Sequence, residues 1–148
     1  MPQPALPEVS GPGASALAWA ARARSASRAL FHVVFTLPHA LNPLCQRHPR
    51  LLYDLLFRAT AETMLEVAAD PKHLGARIGF LSILHTWGQN LRLHPHLHCV
   101  IPAGGFDPGY SRWVHPRYAF FLPVKVLSRV FRGVSAEGEM FALRRSQR

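Results

Sequence analysis

His94-Pro95-His96-Leu97-His98-Cys99-Val100-Ile101 alternates in character residue by residue, and Pro102-Ala103-Gly104-Gly105 closes it. A period of two belongs to a β-strand, in which alternate side chains project to the same face. His94, His96 and His98 then share one face, while Leu97 and Cys99 point into the core behind them. Two imidazoles at i and i+2 on a rigid strand form a preorganised clamp for a divalent metal. The plain alternative is a polar, exposed sheet face. The third histidine of the run, and His85 on the neighbouring strand, weigh towards the metal.

The segments on either side place this strand in a fold. Phe31-His32-Val33-Val34-Phe35-Thr36-Leu37 is aromatic and β-branched and stops at Pro38, which predicts a strand. Leu44 to Ala69 has helical spacing: Leu52, Leu55, Leu56 and Ala59 form an apolar stripe, with Asp54, Arg58, Glu62 and Glu66 on another face. Asp70-Pro71 and Gly75 end it. Ile78 to Trp87 reads as a second strand, buried on both faces or nearly so. Gly88 to Leu93 is short enough to join it to the histidine strand as an antiparallel hairpin. Short strands are expected near Trp113 and at Tyr118–Leu122. Val124 to Val134 returns to helical spacing, with Leu127, Val130, Phe131 and Val134 on one side and Lys125, Arg129 and Arg132 on the other. This order predicts an α+β fold, an antiparallel sheet with helices packed on one side.

The chain has 148 residues and a net charge of +9, carried by 15 Arg and 2 Lys against 8 acids. Arginine's planar fork suits phosphate, so a polyanion is the first partner to consider. The charge is spread, however, with +2 over residues 1–31, +3 over 32–123 and +4 over 124–148, so solvated ends explain much of it. Arg92, Lys125, Arg129 and Arg132 are the candidate phosphate contacts, with a solvated face as the equal alternative. Trp87 and Trp113 suit either stacking on unpaired bases or buried packing, the second being favoured. Cys45 and Cys99 form no C-x-x-C pair and read as small buried residues in a reducing, cytoplasmic setting. No apolar run is long enough for a membrane span. Residues 1–29 read as a disordered or unrelated leader, 30–133 as the folded domain and 134–148 as a disordered basic tail.

His96-Leu97-His98 also matches the His-hydrophobic-His (HUH) element of rolling-circle nucleases. Phe35-Thr36-Leu37-Pro38-His39 with Leu41-Asn42-Pro43, Leu51 to Phe57, Leu84-His85-Thr86-Trp87-Gly88-Gln89-Asn90-Leu91, His94 to Val100, and Phe120 to Val124 with Leu127 to Gly133 resemble the two-tyrosine transposases of rolling-circle insertion sequences. The likeness covers about residues 30–133, in order. It implies an HUH endonuclease-like catalytic domain in which His96 and His98 hold Mg²⁺ or Mn²⁺, which polarises a scissile phosphate in single-stranded or hairpin DNA. A tyrosine then attacks and joins the 5′ end. The third ligand is open between His94, His85 and Gln89, or a group on a downstream helix.

Two departures accompany the likeness. The family's tyrosine pair is not found: Tyr53, Tyr110 and Tyr118 are unsuitably spaced, and Tyr53 reads as a core residue of its helix. The cysteine-rich module that precedes the Phe-Thr-Leu-Pro block in the family is not reproduced in residues 1–29, and beyond Gly133 the likeness ends. The expectation is a partial transposase that binds metal and DNA without cutting. A rolling-circle replication initiator and a non-catalytic nucleic-acid-binding protein are the alternatives.

Overall fold

The computed structural model describes residues 29–89, 91–117 and 121–146, with side chains described through residue 136. Three strands form an antiparallel sheet: β1 (Leu30–Thr36), β2 (Leu81–Trp87) and β3 (Leu93–Pro102), in the order β1-β3-β2. The histidine strand β3 is therefore central and hydrogen-bonded on both edges. That is the stiffest position the sheet offers, since both rows of its backbone groups are paired. Its register sets Val34, Phe35 and Thr36 of β1 against His98, Leu97 and His96. On the other edge Ile83, Leu84 and His85 of β2 face the same three residues.

Alternation along β3 decides what each face does. Pro95, Leu97, Cys99 and Ile101 are buried, and His94, His96 and His98 occupy the opposite face. The buried face receives three helices: α1 (Asn42–Arg47), α2 (Pro49–Ala69) and α3 (Val124–Ser146). On α2 the expected stripe is extended by Thr60, Thr63, Met64, Val67 and Ala68, all buried. The helix α3 packs against it through Leu127 and Phe131, and the Phe131 ring lies 5.0 Å from that of Phe35 on β1. The result is the α+β arrangement expected, with the core between the sheet and one helical layer.

Several local expectations need correction. The helix expected from Leu44 is interrupted at His48, because Pro49 excludes the helical conformation from the residue before it; His48 sits at φ −132°, ψ 59°. Strand β2 is not buried on both faces. It is an edge strand with one face left uncovered by the described residues, and Leu81, Ile83, His85 and Trp87 are exposed in alternation. Ile78 is buried, but in the preceding loop, where Arg77 pairs with Phe106. Helix α3 continues to Ser146, through the segment expected to be a disordered tail. Tyr118, Ala119 and Phe120 lie outside the described residues, while Phe121 and Leu122 form buried bends rather than a strand. Among the described residues no helix is long and apolar enough to cross a membrane.

A small hairpin, β4 (Gly105–Phe106) with β5 (Trp113–Val114), follows the histidine strand. It is anchored by Trp113, whose Nε1 donates to the Ala103 carbonyl at 3.2 Å and whose ring meets Phe106 edge-on, so packing is the role of this tryptophan. Gly104 makes that approach possible. It has φ +134°, and a Cβ there would overlap the Val114 carbonyl oxygen and Trp113 Nε1. Gly104→Ala is expected to lower stability by at least the order of 1–3 kcal/mol that such backbone strain costs, read as a lower urea midpoint.

Candidate metal centre

The three histidines of β3 leave the sheet together, with ring centroids 5.2 Å apart for His94 and His96 and 4.9 Å for His96 and His98. The hairpin register then brings His85 opposite His96, with its ring 5.4 Å from that of His96 and 4.3 Å from that of His98. His85, His96 and His98 each offer one ligand atom, and these atoms lie within 4.8 Å of one another. Three convergent imidazole nitrogens on paired strands are a suitable donor set for a divalent ion.

Hydrogen bonding also bears on which ring nitrogens are free to bind an ion. His96 Nδ1 lies 2.6 Å from the backbone carbonyl of His94. A carbonyl can only accept, so Nδ1 carries the proton and the Nε2 lone pair is left for a metal. His98 Nδ1 lies 2.7 Å from Nε2 of His32 on β1. The His98 pKa is pushed down by its partly desolvated position and then by the neighbouring imidazoles of His85, His96 and His32. A lowered value keeps the ring neutral, the form that binds a metal. These residues fit a divalent ion, and no carboxylate joins the group among the described residues. An all-nitrogen set should follow the usual order of divalent affinities: Co²⁺ is expected to displace Mn²⁺ in a competition titration, and the reverse order would count against this ligand set.

Of the other candidates, His94 is adjacent to this group of three but not part of it, and Gln89 lies outside it. His94 turns towards His39, with centroids 4.9 Å apart, and its buried Nδ1 has no hydrogen-bond partner among the described residues. Its pKa is lowered by desolvation and by His39 and His96. Gln89 is exposed in the β2–β3 turn, where Gly88 N–H donates to the Arg92 carbonyl. His32 was missed in the sequence reading. A signal was present: with Phe31, Val33 and Phe35 facing the helices, His32 must face the other way, as the histidines of β3 do.

The candidate nucleic-acid residues are all on the surface. Arg92 is exposed in the turn beside the histidine strand, and Lys125, Arg129 and Arg132 are exposed along α3. Arg132 and His32 both line a cleft of about 720 Å³ between the β1 edge and α3. Trp87 is 62% exposed, which overturns the expectation of buried packing and leaves its ring available for stacking. Tyr53 belongs to the helical layer behind the sheet, and it is half-buried rather than in the core. Tyr110 sits in the β4–β5 turn at φ 56°, its hydroxyl accepting from Arg77 Nη1 at 3.2 Å. Neither belongs to the histidine cluster, and Tyr118 lies outside the described residues.

Comparison with known proteins gives the site a context. Residues 79–143 match a protein family described as "Putative transposase". That match contains β2 and β3 and runs ten residues past Gly133, where the sequence likeness had been expected to end. The chain is 60% identical over 107 residues, 72% of its own length, to the "Putative transposase y4qJ" of Sinorhizobium fredii, of which it spans 27%. It is 45% identical over 76 residues, 51% of its length, to the "Transposase for insertion sequence element IS801" of Pseudomonas savastanoi pv. phaseolicola, of which it spans 18%. No solved structure matches. The His85, His96 and His98 cluster lies wholly inside the matched segment, so the site falls in the part of the chain that is similar to this transposase family.

Proposed function

We propose that this chain supplies the metal-binding sheet of a rolling-circle transposase acting on single-stranded or hairpin DNA in the cytoplasm. The observation that carries this reading is the convergence of His85, His96 and His98 on one uncovered sheet face within the family-matched segment. His96 and His98 are the HUH ligands, and His85 is the third. A Mg²⁺ or Mn²⁺ ion held there would polarise a scissile phosphate and stabilise the charge that develops on it. Arg92 in the adjacent turn and Lys125, Arg129 and Arg132 on α3 contact phosphates, and exposed Trp87 stacks on an unpaired base. The two relatives are named as transposases, which favours this reading over a replication initiator.

Strand cleavage needs a nucleophile as well as a metal. Tyr53 and Tyr110 are held elsewhere, and no two of the three tyrosines in the sequence are four apart, so this stretch of chain alone is expected to bind DNA without nicking it. The test is fluorescence anisotropy with a labelled single-stranded hairpin, in Mn²⁺ and again in chelator. Tighter binding in Mn²⁺ supports the proposal. Equal binding in chelator, with affinity falling steeply as salt rises, would instead indicate a non-catalytic electrostatic binder.

A further inference from the structure

We propose that His32 is a positioning residue: its Nε2 accepts the Nδ1 proton of His98 and so holds the His98 Nε2 lone pair ready for the metal. The inference rests on the metal reading of the cluster but concerns a residue outside the three ligands and outside the HUH motif. His32 is on β1, 66 residues from His98 and on the far side of β3 from His85.

Geometry separates this role from that of a fourth ligand. The His32 Nε2 to His98 Nδ1 separation is 2.7 Å and the ring planes are 13° apart, as in an N–H···N hydrogen bond between nearly coplanar rings. Two imidazole nitrogens bound to one ion at about 2.1 Å would stand roughly 3 Å or more apart at ordinary coordination angles. Nor does His32 join His85, His96 and His98 as a ligand group. Of two facing ring nitrogens only one can donate. If His98 Nδ1 donates, His98 Nε2 is a free acceptor and His32 carries its own proton on Nδ1. If His32 Nε2 donates instead, His98 Nε2 must hold a proton and cannot bind a metal without losing it.

The neighbouring ligand favours the first arrangement. His96 is held in the Nδ1–H form by the His94 carbonyl, and the same form of His98 gives both HUH histidines free Nε2 atoms. Each ligand would then be oriented by a partner behind it, a backbone carbonyl for His96 and an imidazole for His98. Such outer partners fix the ring orientation and tautomer of ligating histidines and raise their basicity.

The first measurement is the tautomer of His98 in the metal-free chain, from long-range ¹H–¹⁵N NMR couplings at neutral pH. A proton on Nδ1 is expected, and a proton on Nε2 overturns the proposal. The second is Mn²⁺ affinity by calorimetry for His32→Phe, which keeps a flat ring without an acceptor, and His32→Gln, whose amide oxygen can accept in place of Nε2. His32→Phe is expected to bind Mn²⁺ about 10–100-fold more weakly, the usual consequence of losing an outer-shell partner, with His32→Gln close to the parent. Undiminished affinity in a folded His32→Phe would overturn the inference, as would equal losses in both variants. Should His32→Phe fail to fold, the tautomer measurement still decides. Absence of Mn²⁺ binding by the parent chain would remove the metal reading itself, while leaving the tautomer result intact as a separate finding.

Discussion

The variant His96→Ala/His98→Ala is expected to lose Mn²⁺ binding almost completely while keeping its fold. Loss of one outer-shell partner typically weakens a metal site by about 10–100-fold, so deleting two of three ligands should exceed about a hundredfold. The fold should survive because both side chains project from the uncovered face of a central strand, away from the helices. Leu97 and Cys99, which pack behind them, are untouched. Calorimetry measures the first effect and circular dichroism the second. His94→Ala is the informative control. The bond that orients His96 comes from the backbone carbonyl of residue 94, not its imidazole, and that imidazole turns towards His39. His94→Ala should therefore bind Mn²⁺ nearly as the parent does. A double variant that bound as tightly as the parent would remove His96 and His98 from the site, and a collapse of affinity in His94→Ala would move the third ligand from His85 to His94.

Much of this site was legible because a strand alternates. A run of His at 94, 96 and 98 broken by Pro95 and Leu97 has one reading as a strand, and the structure has that reading. Which of His85, His94 and Gln89 groups with His96 and His98 was not legible, because it depends on register. A register shift between His85 and Trp87 intervenes between the turn and the histidines, and it is this local irregularity that leaves His85 opposite His96. His32 was harder still. Its neighbour in space is 66 residues away, and pairing between distant strands leaves no mark at short range in a sequence. Trp87 misled for a related reason. The apolar run from Ile78 suggested a strand covered on both sides, whereas among the described residues the sheet has three strands and one helical layer. The break at His48 was readable from Pro49, but the strong stripe of α2 drew the helix start back to Leu44. The continuation of α3 beyond Val134 lacked such a stripe, so spacing alone could not extend it.

The same alternation that builds the histidine face ties it to the core, and Leu97→Ala tests that tie. Leu97 is fully buried on the central strand, between its register partners Phe35 on β1 and Leu84 on β2. Truncating a buried leucine costs about 2–5 kcal/mol, from lost transfer energy and from the cavity left behind. Against the 5–15 kcal/mol typical of a whole domain this is a large share. For a chain of this size it corresponds to a fall in Tm of roughly 5–15 °C. A fall of less than a degree or two would mean that the sheet and helices do not share one core. The histidines lie on the other face, so the cavity removes no ligand and Mn²⁺ should still bind the folded variant. A ligand that binds only the folded state raises stability by RT ln(1 + [L]/Kd). Added Mn²⁺ should therefore raise the Tm of the parent and, from its lower starting point, that of Leu97→Ala, and leave that of His96→Ala/His98→Ala unchanged. If Leu97→Ala instead lost the metal-induced rise while still folding, the strand behind the histidines would be setting ligand geometry as well as carrying the core.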